Sequence, residues 1–190
     1  MIKADVATII LAAGESKRLG KPKQLLPYKN TTLLGNSINA ATESGLTNIL
    51  IVLGSNFLKI SQSIKCKSIR QIINTKWKEG MGSSLSTGMK TVLNEEAVLI
   101  MLCDQPKITS KHISSLIDNY QPGKIIGSTY DGILGVPALF PKKYFEHLAG
   151  LSGDQGAKKI IEQFSENVIS VECPEGAIDI DIKADLVNLE

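Results

Sequence analysis

Val6-Ala7-Thr8-Ile9-Ile10-Leu11-Ala12-Ala13-Gly14-Glu15-Ser16-Lys17-Arg18-Leu19-Gly20-Lys21-Pro22-Lys23 is the stretch from which the rest of the chain is read. Its opening, Val6 to Leu11, is a continuous run of apolar and β-branched residues, the pattern of a strand buried on both faces in a parallel sheet. Small residues follow at 12 to 14, and then a short loop carrying Lys17, Arg18, Lys21 and Lys23. A buried strand that empties into a small-residue, basic loop predicts an α/β sheet with a ligand site beyond the carboxyl ends of its strands.

The pattern repeats outward from this stretch. Asn48 to Leu53 and Ala97 to Cys103 are further apolar runs, ending at Gly54 and Asp104, and Ser68 to Ile73 is a weaker one. Helical spacing separates them over Leu33 to Ser44, Ser83 to Leu93 and Ser110 to Asn119. Gly45 stops the first of these helices and Thr109 is placed to cap the last. Later, Lys124 to Ser128 and Ile133 to Phe140 read as strands joined by a turn at Tyr130-Asp131-Gly132. Helices are expected over Lys142 to Ala149 and Gln155 to Phe164, a strand over Val168 to Val171 and a short final helix over Lys183 to Leu189. Strand–helix alternation predicts a Rossmann-like, doubly wound, predominantly parallel sheet with helices on both faces. With no linker, repeat or low-complexity tract, residues 1–190 are expected to form a single domain.

Composition narrows the function. The chain has 190 residues, 43% of them hydrophobic, enough for one real core. Its 21 Lys and Arg nearly balance 19 Asp and Glu, and there is no long basic run, so nucleic-acid and membrane-surface partners are not expected. Lys3 before an apolar run imitates a signal peptide, but Asp5 intervenes, the run is short and a charged loop follows. No stretch approaches the ~20 apolar residues of a membrane span, so a cytoplasmic location is expected. Cys66, Cys103 and Cys173 are odd in number and lack ligand spacing, which disfavours a zinc site or disulfide framework.

Phosphate binding needs backbone N–H donors, a guanidinium fork and an ammonium. The loop supplies these through its small residues Ala12, Ala13 and Gly14, through Arg18 and through Lys23, with the Ser16 hydroxyl in addition. It is neither GxGxxG nor a Walker A loop. Gly80-Met81-Gly82-Ser83-Ser84 precedes a helix, where glycines permit close approach and serines serve either a nucleotide or an ordinary cap. Asp104 follows the fourth buried strand on the same edge, where a carboxylate suits Mg²⁺ or a turn before Pro106. Asp179 and Asp181 alternate, so a strand would point both to one face. His112 and His147 lie in helical segments outside these motifs and read as packing or surface residues. No Gly-x-Ser-x-Gly elbow or Cys/His constellation supports covalent catalysis.

The loop resembles the signature Leu-Ala-Ala/Gly-Gly-x-Ser-x-Arg-Met/Leu-Gly-x-x-Lys of the MobA-like nucleotidyltransferases. Within that superfamily the chain is most similar to the molybdenum cofactor cytidylyltransferases. The segments 80–85, Cys103-Asp104-Gln105-Pro106, Gly135-Val136-Pro137-Ala138-Leu139-Phe140, 151–157 and Asp179-Ile180-Asp181 extend the likeness over nearly the whole chain, in order. The resemblance implies transfer of CMP from CTP to the terminal phosphate of Mo-molybdopterin, with Lys23, Arg18 and Asp104 as catalytic residues. It implies that Mg²⁺ is held by Asp104 and Asp181. The nucleotide would be bound by Leu11, Ala12, Ala13, Gly14, Ser16, Arg18, Gly20, Lys23, Gly82, Ser83, Ser84 and Gln105. The segment at Gly153-Asp154-Gln155-Gly156 would lie near the second substrate, and a molybdoenzyme or its maturation chaperone would be the receiving partner.

Guanine-using relatives have Gly-Gly where this chain has Ala13-Gly14. The Ala13 methyl narrows the space beside the base and, with Gln105-Pro106, points to CTP. Val136 departs from relatives with a polar residue before the proline, which leaves the acceptor contacts less defined. The alternatives are a guanylyltransferase for the same cofactor, a sugar-phosphate nucleotidyltransferase, and a non-catalytic nucleotide-binding chaperone for molybdoenzymes.

Overall fold

The structure is a computed structural model, and it describes residues 5–66, 68–92 and 94–189. A seven-stranded sheet runs through it. The strands are β1 (Val6–Ala12), β2 (Asn48–Leu53), β3 (Arg70–Ile73), β4 (Ala97–Leu102), β5 (Ile125–Tyr130), β6 (Ile133–Pro141) and β7 (Val168–Glu172). Their order across the sheet is β3-β2-β1-β4-β6-β5-β7. β1 pairs in parallel with β2 on one side and β4 on the other. Every residue of β1 is buried, as its unbroken apolar run requires. β3 is an edge strand with little burial, which explains its weak signal in the sequence. β6 runs antiparallel to both β4 and β5, so the sheet is mostly, not wholly, parallel.

Period-two alternation sends each strand's residues to two separate cores. Ile10, Ile49, Ile51 and Leu99 face one layer, built by α1 (Leu33–Glu43), α2 (Phe57–Ser63) and α4 (Ser110–Asp118). Ile9, Leu50, Val52 and Ile100 face the other, built by α3 (Met81–Met89), α5 (Phe145–Ala149) and α6 (Lys158–Gln163). Helices on both faces were expected, and they are present. Thr109 caps α4 as anticipated, its hydroxyl accepting from the His112 amide at 3.3 Å. Thr32 caps α1 in the same way.

The differences in elements are local. The helix expected over Ser83 to Leu93 runs instead from Met81 to Met89, and Leu93 lies outside the described residues. α2 has no helical signature strong enough to read from its seven residues. The segment 142–149 opens as a 3₁₀ turn before α5, and 183–189 is 3₁₀ rather than α-helical. Asp131 and Gly132 both adopt positive φ (51° and 74°), the geometry of a tight hairpin turn joining β5 to β6. None of the helices among the described residues is long and apolar enough to cross a membrane.

Candidate active site

The carboxyl ends of β1 and β4 open into a cavity of about 580 Å³, a size suited to a small-molecule ligand. The loop after β1 forms one wall. Ser16 holds the loop's turn: its backbone is left-handed, its carbonyl accepts from the amides of Leu19 and Gly20, and its hydroxyl accepts from the Lys23 amide at 3.1 Å. That leaves the Ser16 hydroxyl hydrogen to donate to a ligand. Gln24 ties the loop back to the strand. It is fully buried, and its side-chain N–H groups donate to the carbonyls of Ala12 (3.0 Å) and Gly14 (2.9 Å). A Cβ added to Gly14 would meet nothing within 4 Å, so this turn is open toward the cavity.

Lys23 and the two predicted metal carboxylates meet in this cavity. Lys23 Nζ donates to Asp104 Oδ2 at 2.5 Å and to Asp181 Oδ1 at 2.7 Å. Arg18 reaches the second oxygen of Asp181 at 3.1 Å. The Lys23 and Asp104 side chains are only 13% and 14% exposed, so solvent screens their attraction little. Burial pulls the Lys23 ammonium down, but Asp104 and Asp181 outweigh it and hold its pKa above the ordinary value. The hydrogen bond from Lys23, with Arg18 beside it, holds the Asp181 carboxyl below the usual carboxylate range. Asp104 Oδ1 is buried without a protein partner.

A third, smaller apolar cluster explains how residues so distant in sequence meet. Ile180, fully buried, packs among Leu19, Leu26, Tyr28 and Leu33. Its amide donates to the Asp104 carbonyl at 3.0 Å, which sets Asp181 beside Asp104. The segment is irregular rather than a strand, so the expected alternation of Asp179 and Asp181 does not apply. Asp181 lines the cavity; Asp179 is exposed outside its wall.

Leu11, Ala12, Ala13, Arg18 and Ser84, put forward as nucleotide ligands, also line the cavity. Four other residues put forward as nucleotide ligands lie outside the wall. Gly20 sits in the turn with φ of 76°. Gly82 is pressed against the backbone of Ser152, and its amide donates to the Gly153 carbonyl at 2.8 Å. Ser83 spends its hydroxyl on the carbonyls of Lys76 and Gly80 and accepts from Asn74. Gln105 is buried and donates to the carbonyls of Val136 (3.2 Å) and Gly176 (3.0 Å), which ties it to β6, while its own Oε1 is buried without a partner among the described residues. Val136 itself is buried in the core on the α3 side.

Sequence reasoning missed Gln24 and Trp77, both in the wall; Asp154, from the segment expected near the second substrate, lines it as well. Trp77 stands three residues before Gly80 and is the only tryptophan in the chain, a signal that was available. His112 packs in the interior, its Nε2 2.7 Å from the Ser128 hydroxyl, and burial lowers its pKa. His147 is exposed and meets Phe164 edge-on. Cys103 is buried and its thiol is pushed up to about 12, which leaves it protonated and inert.

The model of the MobA-like NTP transferase domain matches residues 8–168. Nicotine blue oxidoreductase of Paenarthrobacter nicotinovorans is 29% identical over 93% of this chain and 91% of its own length. A probable molybdenum cofactor guanylyltransferase of Bacillus mycoides is 26% identical over 59% of this chain and 55% of its own length. Rv0371C of Mycobacterium tuberculosis H37Rv, solved in complex with manganese, superposes with a TM-score of 0.82 at 26% identity, covering 97% of each chain.

Proposed function

The chain belongs to the MobA-like NTP transferase family, and from that premise we propose that it transfers CMP from CTP to the terminal phosphate of Mo-molybdopterin, releasing pyrophosphate. The observation that carries this reading is the convergence of Lys23 on Asp104 and Asp181 beside the Arg18 loop. A phosphate-binding loop alone supports binding. Two carboxylates gathered on one cation beside it support phosphoryl-group chemistry.

A phosphate monoester is largely dianionic at pH 7, its second pKa being about 6, so the acceptor needs no general base. One of its oxygens attacks the α-phosphorus in line, forming a P–O bond as the bond to the β-phosphate oxygen breaks. Pyrophosphate carries away the electron pair. Arg18 and the loop amides hold the β- and γ-phosphates, and Lys23 places its charge at the α-phosphate. The carboxylates suit a hard divalent cation such as Mg²⁺, and the unpartnered Asp104 Oδ1 is an oxygen still free to ligate one. Asp104 and Asp181 would hold it, and it would neutralise charge on the triphosphate. That a related structure contains manganese is consistent with this. The Ala13 methyl, in the cavity wall, favours a pyrimidine; Gln105 lies outside that wall with its N–H groups on backbone carbonyls, so the choice rests on Ala13.

Pyrophosphate release over all four triphosphates, with and without Mo-molybdopterin, tests the proposal. Release with CTP only when the acceptor is present is expected. A GTP preference assigns guanylyl transfer, and release with a sugar phosphate instead moves the acceptor class. No release in any combination leaves a nucleotide-binding chaperone. A redox arm, with a reduced nicotinamide as one generic electron donor, covers the oxidoreductase chemistry that one relative's name carries, and its oxidation without pyrophosphate release overturns transfer.

A further inference from the structure

The loop and the two carboxylates leave one part of the cavity wall unexplained. Trp77 lies just beyond β3, on the side of the sheet away from β4 and Asp104. It is partly exposed, and it lines the same cavity as Ala13, Lys78 and Ser84. Its place is tightly set. A Cβ added to Gly54, at the tip of β2, would lie 2.6 Å from Trp77 Cβ and 2.7 Å from the Ala13 carbonyl. Gly54 is therefore flush between Ala13 and Trp77, and it brings the indole against the loop that follows β1. The Lys78 ammonium stands 5.5 Å from the indole ring centre.

Arg18, Lys23, Asp104 and Asp181 gather in one part of the cavity, and the indole, with Ala13, Ser84 and the Lys78 ammonium beside it, supplies its aromatic wall. We propose that the Trp77 indole is the platform on which the base of the nucleoside triphosphate stacks. The inference rests on the reading of the cavity as a nucleotide site, and it adds the residue that holds the base. A flat ring is accommodated by a flat ring, and stacking tolerates different bases. Trp77 therefore supplies affinity for the base, while the choice between bases falls to its neighbours, Ala13 among them.

Because Trp77 is the sole tryptophan, its emission reports this wall directly. The full chain with Mg²⁺ is titrated with CTP, with GTP, with inorganic tripolyphosphate and with a pterin phosphate, each binding event being followed in parallel by calorimetry. Both nucleoside triphosphates quench the emission, whereas tripolyphosphate binds without quenching. Trp77→Ala weakens CTP about five- to hundredfold and leaves tripolyphosphate unchanged, and Trp77→Phe stays within about threefold of the parent. Calorimetric binding of CTP with unchanged emission overturns the proposal, as does equal weakening of CTP and tripolyphosphate in Trp77→Ala. Quenching by the pterin alone also overturns it and gives the indole to the acceptor. Failure to bind any nucleoside triphosphate sinks it outright. Loss of pyrophosphate release with base-dependent quenching intact would instead fault only the proposed reaction.

Discussion

Two glycine-bearing loops reach the same edge of the sheet, and their glycines do opposite work. Beside Gly14, in the loop after β1, there is open space for a ligand. Beside Gly80 and Gly82, at the start of α3, there is protein. A Cβ on Gly80 would lie 2.2 Å from the Gly153 carbonyl oxygen, and one on Gly82 2.6 Å from the Ser152 backbone. Glycine permits close approach in both places. The partner that approaches is a substrate in one reading and the chain's own 152–154 segment in the other.

The largest expected effect comes from the open side. Lys23→Ala should lower turnover per folded molecule by about 10²–10³, on the scale of losing one preorganised charge-stabilising contact. It also removes the partner of buried Asp104, so a lower thermal midpoint should accompany the loss. Turnover near the parent value would remove Lys23 from the chemistry. Asp104→Asn, which keeps the shape and removes the charge, should shift the Mg²⁺ titration of activity to higher concentration by about tenfold or more, since even outer-shell partners of a metal are worth roughly 10–100-fold in affinity. An unchanged titration would count against ligation.

The filled side predicts stability effects instead. Gly82→Ala should destabilise by roughly 1–3 kcal/mol through overpacking against Ser152, measured by denaturant unfolding. Gly14→Ala should leave stability within about 0.5 kcal/mol and raise the KM for the triphosphate. If the two variants exchanged these phenotypes, the contrast between the loops would be false. The smallest effect belongs to His112, a residue type associated with catalysis but spent here on packing. Its folded pKa is lowered by burial, so the folded protein resists a proton that the unfolded chain accepts near pH 6.5. Its contribution is thus complete above about pH 6.5 and declines as pH falls below that value. His112→Gln should flatten that slope and leave the pH dependence of turnover unchanged; an altered rate profile would make His112 part of the site.

Much of the site was legible because its elements are continuous in sequence. Val6 to Lys23 shows strand, turn and charge in one reading, and β1 is buried on both faces as its composition demands. Asp104 was legible for a related reason, since it directly follows a buried run. Gln105 was put forward by the resemblance alone, and nothing local reveals that its N–H groups donate to Val136 and Gly176. Gln24 escaped notice because its partners, the carbonyls of Ala12 and Gly14, have no sequence signature. Alternation alone did not separate Asp179 from Asp181; the preference for Asp181 came from the resemblance.

By itself, the sequence determined the class of fold, the strand that leads to the site and the loop with its cations, because hydrophobic period and turn chemistry are local properties. Only the tertiary structure decided which aspartate joins Lys23, which glycines face open space and that Trp77 enters the wall. Those outcomes depend on contacts between distant segments. Ile180 finding the pocket around Leu19 carries Asp181 across the fold to Asp104, and no periodicity within either segment encodes that meeting.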